Sequence, residues 1–283
     1  MLAGRKVFPV LAFLLLAVSS AWCVHYQTID YPGATATMVF GINDAGDMAG
    51  TYLDASSVPH GFLLSGGTFT SIDYPNAVAT FTYGINNSGQ ICGSYLLSKG
   101  NSHGYVLSAG VFTPYNYPKA TSTTVAGISN DGQLAGSYTD TSAVTHGFKW
   151  KDNHFANIDV PSALLTQVSG INVAGNMVGW YRDSSNVMQG FFFKQGTIKT
   201  ITVPDSIATA ATAINDVGNI VGYWTGHKHR THAFRYGSRG YLYFNVPHAT
   251  DAMNLGVNTS VLIVGEKVDD VTGATRGYLR LKD

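Results

Sequence analysis

Short hydrophobic segments separated by glycine-rich polar turns run through most of this chain. Residues 35–74 contain four such segments, at 35–43, 47–53, 60–64 and 68–74. Asp44-Ala45-Gly46 joins the first two, and Ser65-Gly66-Gly67 joins the last two. Turns of this composition favour tight hairpins, so the pattern predicts four antiparallel β-strands. Pro75 ends the fourth strand, because proline cannot donate to a β-ladder.

The four-strand unit recurs with a period of 43 residues. Four antiparallel strands in this length match one blade of a β-propeller, which takes about 40–50 residues. A proline recurs in the same register at Pro32, Pro75, Pro118, Pro161, Pro204 and Pro247. A glycine of the second strand recurs at Gly50, Gly93, Gly136, Gly179, Gly222 and Gly265.

The two ends of the repeat array complement one another. The sixth unit ends with its third strand at 276–281, so its fourth strand is missing there. One period before Ile72-Asp73-Tyr74-Pro75 stands the matching Ile29-Asp30-Tyr31-Pro32. We therefore predict an all-β, six-bladed β-propeller over residues 24–283, closed by an N-terminal strand that completes the last blade and leaves no open edge.

Composition agrees with a turn-rich globular domain. Hydrophobic residues make up 45% of the chain and charged residues 12%, which argues against a disordered chain or a helical rod. Lys and Arg number 17, as do Asp and Glu. Because nucleic-acid binding needs a basic face, we expect no nucleic-acid partner. We also expect the protein to be a monomer.

The first 23 residues are typical of a signal peptide. Arg5 and Lys6 precede an apolar run at 7–18, and small residues follow at 19–21. The run is shorter than the roughly 20 residues that a membrane-spanning helix needs, and no second run of that kind follows. We predict cleavage after Ala21 or Cys23, no membrane span, and export to the periplasm or the extracellular space. Cys92 would then lack a disulfide partner.

The repeats resemble the HAF repeats of bacterial secreted proteins. Their His-Ala-Phe tripeptide occurs at 232–234, with variants at 60–62, 103–105 and 146–148. The accompanying Gly-Ile-Asn-x-x-Gly-x-x-x-Gly pattern is intact at 41–50, 84–93 and 170–179. Gln189 and Arg276 replace the histidine in two units, and Val261 replaces a turn glycine. The resemblance implies export and a repeat fold, but it assigns no activity, cofactor or binding residue.

Residues that recur in every blade are expected to serve the blade itself. His60, His103, His146 and His232 occupy the same position in four of the six units, one per blade, and would lie far apart in a ring. We therefore interpret them as structural hydrogen-bonding residues and not as metal ligands. The sequence indicates no metal site and no cofactor.

An aromatic residue follows the second-strand glycine by two positions in five units. These residues are Tyr52, Tyr95, Tyr138, Tyr181 and Trp224, and Lys267 occupies the position in the sixth unit. Their rings are suited to stacking on sugars, and the alternative is packing between blades. We select the five aromatics as candidate ligand-binding residues.

The loop at 225–231 breaks the repeat, because it is basic where other units carry Asp, Ser and Ala. His227 and His229 alternate as neighbours on a strand would, and both join the candidate ligand-binding residues. A solvated basic loop is the preferred interpretation of this segment, and a weak divalent-metal or anion site is the alternative.

No established enzyme motif is present in the sequence. We therefore favour a secreted binding module without catalytic activity, which meets a glycan or protein ligand on the face of the loops between second and third strands. The alternative is an exported propeller enzyme, such as a glycosidase or lyase, with residues near His227, His229, Glu266 and Asp269. Fold alone does not decide between them.

Overall fold

The computed structural model describes residues 25–98 and 100–281, and every regular element in them is a β-strand. The predicted signal peptide at residues 1–23 lies outside the described residues. Within the described ranges, no helix is long and apolar enough to span a bilayer.

The first half of the ring contains three complete blades. Blade one comprises β2 (Ala36–Ile42), β3 (Met48–Leu53), β4 (Pro59–Ser65) and β5 (Thr68–Ile72). Blade two comprises β6 (Ala79–Ile85), β7 (Ile91–Leu96), β8 (Ser102–Ser108) and β9 (Val111–Tyr115). Blade three comprises β10 (Ser122–Ile128), β11 (Leu134–Thr139), β12 (Thr145–Lys151) and β13 (His154–Ile158).

The second half contains three more blades, and the last of them uses both ends of the described chain. Blade four comprises β14 (Leu165–Ile171), β15 (Met177–Arg182), β16 (Met188–Lys194) and β17 (Thr197–Ile201). Blade five comprises β18 (Ala208–Ile214), β19 (Ile220–Thr225), β20 (Thr231–Gly237) and β21 (Gly240–Phe244). Blade six comprises β22 (Ala249–Val257), β23 (Ile263–Asp269), β24 (Thr275–Arg280) and β1 (Tyr26–Ile29).

The six sheets each contain four antiparallel strands, which confirms the predicted six-bladed β-propeller. Strand β1 lies beside β24, with Tyr26 opposite Arg280 and Ile29 opposite Gly277. Blades six and one are in contact, so the described sheets form a ring. The predicted strands differ from the observed ones by only one or two residues at their ends.

Aromatic rings on the third strands form the core between blades. Phe62 is fully buried, and a Cβ built at Gly50 on the neighbouring strand would lie 2.6 Å from its ring. The recurring glycine of the second strand therefore makes room for the recurring aromatic of the third. Burying each ring contributes about 1.5–3 kcal/mol relative to exposure. The equivalent buried rings are Tyr105, Phe148, Phe191, Phe234 and Tyr278.

Each innermost strand contains a β-bulge at the same place. In blade one, Val39 pairs with Gly50 and Gly41 pairs with Ala49, which leaves Phe40 as the extra residue. A bulge re-aims the side chain of its extra residue, and here that side chain borders the propeller axis. The following Gly41 lies close to the next blade, because a Cβ there would lie 3.0 Å from the amide nitrogen of Ile85. The equivalent bulged residues are Tyr83, Ala126, Ser169, Thr212 and Leu255.

Candidate ligand-binding site

The propeller has two faces that differ in their connections. The first face carries the turns between first and second strands and between third and fourth strands. The second face carries the loops between second and third strands and the connections between blades. The five candidate aromatics lie near the second-face ends of their second strands, one per blade, so the ring does not bring them together.

In blades one to three, a tyrosine from the preceding inter-blade connection covers the candidate aromatic. Tyr31 stacks on Tyr52 with ring centroids 3.6 Å apart. Tyr117 stacks on Tyr138 at the same separation, and Tyr138 is only 7% exposed. Burial, followed by the neighbouring Tyr117 hydroxyl, raises the pKa of Tyr138 to about 12. The equivalent pair in blade two is Tyr74 and Tyr95. These rings pack between blades.

Blades four and five lack this cover. Val160 and Val203 occupy the positions that hold tyrosine before blades one to three, so neither Tyr181 nor Trp224 has a stacked tyrosine. The Trp224 ring instead lies 4.6 Å from the ring of His232 and 6.0 Å from that of Tyr243, measured between centroids. Tyr243 is 49% exposed, whereas Trp224 is half-buried, and its indole nitrogen is buried without a hydrogen-bond partner among the described residues.

The histidine of the third strand has a structural role in the regular blades. The Nδ1 atom of His60 lies 2.6 Å from a carboxylate oxygen of Asp73, and its Nε2 lies 3.5 Å from Asp54. Hydrogen bonds from the backbone amides of Val58 and Ser56 lower the pKa of Asp54. The histidine thus joins the loop of the blade to its outermost strand, as predicted. His146 makes the equivalent contacts with Asp159 and Asp140, and His103 lies 3.3 Å from the side-chain oxygen of Asn116.

Blade five departs from this arrangement. Gly226 stands where blade one has Asp54, and Asn245 stands where it has Asp73. Within the described part of the chain, the His232 ring makes no hydrogen bond and packs on Trp224. Two changes therefore meet at the Trp224 indole. Val203 replaces the covering tyrosine, and both carboxylates that hold the histidine in blade one are absent from blade five.

These substitutions open a groove of about 760 Å³ on the second face. We call it the blade-five groove. Its charged side chains are Lys228, Arg230 and Asp205, so the cationic groups outnumber the carboxylate. The remaining lining residues are Val203, Pro204, Trp224, Gly226, His227, His232 and Tyr243.

The expected strand-like alternation of His227 and His229 is wrong. Both residues lie in a tight turn, in which His229 has a φ of 57° and its amide donates to the carbonyl oxygen of Gly226. The turn places His227 against the groove, whereas His229 is not among the lining residues. No group of three or more His, Cys, Asp or Glu side chains arranged to hold a metal ion occurs in residues 25–98 and 100–281.

The structure does not assemble the residues of the enzyme alternative into one site. Glu266 borders a cavity on the propeller axis, while His227 lines the blade-five groove. Asp269 accepts hydrogen bonds from the amide and hydroxyl groups of Thr272, which hold the loop of blade six. These interactions lower the pKa of Asp269.

The sequence did not predict three features of the groove. These are Val203 in place of tyrosine, His232 without the carboxylate partners of His60 and His146, and Tyr243. The change from tyrosine to valine before Pro161, Pro204 and Pro247 was a visible signal. Its meaning depends on a contact between an inter-blade connection and a strand end, which no local pattern reveals.

Comparisons with solved structures show the same fold in a fucose-specific lectin, in AofleA and in TolB. The fucose-specific lectin from Aleuria aurantia has a TM-score of 0.54 at 11% identity, with 87% of this chain and 92% of that chain covered. AofleA from Arthrobotrys oligospora has a TM-score of 0.53 at 11% identity, with 92% and 84% covered. TolB from Acinetobacter baumannii has a TM-score of 0.55 at 10% identity, with 84% and 64% covered. No family model matches the chain, and no curated protein matches it. At these identities the likeness establishes the fold alone.

Proposed function

We propose that this protein is an exported glycan-binding module whose ligand occupies the blade-five groove. One observation carries the proposal: the Trp224 ring lacks the tyrosine that covers its counterparts in blades one to three, because Val203 stands at that position. An uncovered indole beside a groove offers an apolar face on which a sugar ring stacks. The fold is one that a fucose-specific lectin also uses.

The charge of the groove narrows the ligand class. Lys228 and Arg230 outnumber Asp205, and the imidazoles of His227 and His232 supply further hydrogen-bonding groups. Arginine and lysine favour carboxylate and sulfate groups. The proposed ligand is therefore a glycan that carries an acidic substituent.

A glycan array probed with the protein from residue 24 onward tests this function. We expect binding to acidic glycans, with a loss of about tenfold or more for Trp224→Ala. Val203→Tyr restores the cover found in blades one to three, so it should abolish binding while leaving the fold intact.

Val160→Tyr is the matched control, because it makes the same change one blade earlier, opposite Tyr181. Binding should persist in this variant. Loss of binding in Val160→Tyr, combined with full binding in Val203→Tyr, would move the site away from blade five. Unchanged binding in a well-folded Trp224→Ala protein would remove the indole from the site.

Export and membership of the HAF-repeat proteins are further parts of the proposal. They are supported by the basic, apolar and small-residue order of the first 23 residues and by the tripeptide and glycine patterns. Mass spectrometry of the protein from its producing cell should find an N-terminus at Trp22 or Val24. Recovery of a chain with Met1 intact would contradict signal removal.

A further inference from the structure

The propeller axis contains a cavity of about 400 Å³, distinct from the blade-five groove. All six bulged residues of the innermost strands contribute to its wall, and three of them are Phe40, Tyr83 and Leu255. A volume of this size is within the range of small-molecule sites. Apart from Val168, each lining residue is only partly buried.

One carboxylate breaks the symmetry of this wall. The second strands present Thr51, Ser94, Ser137, Trp180 and Tyr223 at the position that Glu266 occupies in blade six. Glu266 is the charged residue among the side chains that line the cavity. In the described part of the chain, its carboxylate has neither a hydrogen bond nor an ion-pair partner. The cavity therefore carries an uncompensated negative charge.

Aromatic rings line the same cavity as Glu266. Phe40 and Tyr83 meet edge to face with centroids 5.3 Å apart, and Tyr223 lines the same cavity. The faces of aromatic rings attract cations, and this attraction strengthens where water is partly excluded. Burial of Glu266 raises its pKa, which reflects the cost of holding an ionised carboxylate there without a counter-ion.

The wall fits an organic cation better than a metal ion. Calcium takes six to eight oxygen ligands, typically with several carboxylates, and magnesium requires octahedral oxygen coordination. Here a single carboxylate stands among aromatic, aliphatic, hydroxyl and amide groups. An organic ammonium ion uses one counter-ion and several ring faces, as this wall provides.

We propose that the axial cavity binds a small organic cation of the ammonium class, with Glu266 as its counter-ion and Phe40, Tyr83 and Tyr223 as its aromatic wall. The site does not depend on the glycan function, because it shares no lining residue with the blade-five groove.

Calorimetric titration with choline, and with its neutral isostere 3,3-dimethylbutan-1-ol, tests the charge requirement on the unaltered protein from residue 24 onward. We expect choline to bind about tenfold or more tightly than the alcohol. Equal affinities, or no binding of choline, tetramethylammonium or butylammonium, would overturn the proposal. Saturable binding of calcium in place of these cations would overturn it as well.

Glu266→Gln keeps the side-chain shape and removes the charge. Choline affinity should fall about tenfold or more, while affinity for the alcohol should not change. Asp270→Asn is the matched control, because it removes an exposed carboxylate from the same blade without touching the cavity. Choline affinity that survives Glu266→Gln would exclude Glu266 as the counter-ion. Val203→Tyr should leave choline binding intact, which separates failure of this proposal from failure of the glycan site.

Discussion

The side-chain amide of Asn258 donates a hydrogen bond to the carbonyl oxygen of Asn43, 3.0 Å away, and so joins the last blade to the first. Similar bonds connect other neighbouring blades, as from Asn86 to Ser129 at 3.1 Å and from Asn215 to Asn258 at 2.7 Å. Blade three has Ser129 at this position, and its hydroxyl donates within its own turn. The recurring asparagine therefore links the blades around the axis.

Substitutions at Asn258 should separate its two roles. Its side-chain oxygen accepts the amide hydrogen of Leu262 at 2.9 Å, while its nitrogen donates to Asn43. Asn258→Ser retains an acceptor for the Leu262 amide, as Ser129 does in blade three, but leaves the Asn43 carbonyl without its donor. We expect this change to lower the free energy of unfolding by about 1–3 kcal/mol. Asn258→Ala removes both roles and should cost more. Urea unfolding measures the difference, and equal stabilities for the two variants would contradict this division.

Removal of strand β1 should destabilise the whole ring. Ile29 is 3% exposed, and Asp30 forms an ion pair with Arg276 of the adjacent strand. A chain that begins at residue 33 loses this packing and exposes the edge of β24. We expect a loss of at least about 3 kcal/mol in the free energy of unfolding. A chain that begins at residue 25 is the control. Equal melting temperatures for the two chains would show that the pairing of β1 with β24 does not stabilise the ring.

Gly46 should be sensitive to substitution for a conformational reason alone. Its φ is 89°, and a Cβ built there meets no atom within 4 Å. Gly46→Val should therefore cost about 1–2 kcal/mol through backbone strain, because a left-handed conformation disfavours branched residues. Gly46→Asn should cost less. Val261 adopts a φ of 63° at the equivalent position while packing on the blade-six core. Thermal unfolding compares the variants, and equal losses would refute this explanation.

Tyr138 and Tyr181 should respond differently to alanine. Tyr138 is covered by Tyr117, so Tyr138→Ala should lower the free energy of unfolding by about 3–5 kcal/mol, as truncation of a buried aromatic side chain does. Tyr181 is half-buried and has no stacked tyrosine, because Val160 stands at that position in the repeat, so Tyr181→Ala should lower the free energy of unfolding clearly less. Chemical denaturation of both variants measures the difference. A larger loss at Tyr181 would show that the stacked tyrosine contributes little.

Stability should depend on the ionisation of Glu266. Burial raises its pKa above the ordinary value of 4.5, so the folded protein holds the Glu266 proton to a higher pH than the unfolded chain does. The favourable contribution is present below pH 4.5 and is lost as pH rises through the raised pKa. The nearby hydroxyls of Tyr223 and Tyr278 have raised pKa values and remain neutral in this range.

Comparing Glu266→Gln with the unaltered protein measures this effect. The variant cannot ionise, so its advantage in the free energy of unfolding should be larger at pH 7 than at pH 4. An advantage that is the same at both pH values would show that the carboxylate is not destabilised in the cavity.

The 43-residue period by itself determined the number of blades, the order of their strands and most strand ends. This was predictable because each blade uses the same local devices, such as the Asn43–Gly46 turn and the close fit of Gly50 under Phe62. Repetition also identified His60, His103 and His146 as structural, whereas His232 makes no such hydrogen bond in the described part of the chain and lines the blade-five groove.

Only the tertiary structure decided which candidate residues face a ligand. Tyr138 and Trp224 occupy the same position in the repeat, yet one is covered by Tyr117 and the other borders a groove. Likewise, Glu266 and Phe40 stand at opposite ends of the sequence, and they share a cavity because the ring closes. Local patterns specify strands and turns through short-range hydrogen bonding, whereas exposure depends on what the neighbouring blade places over a side chain.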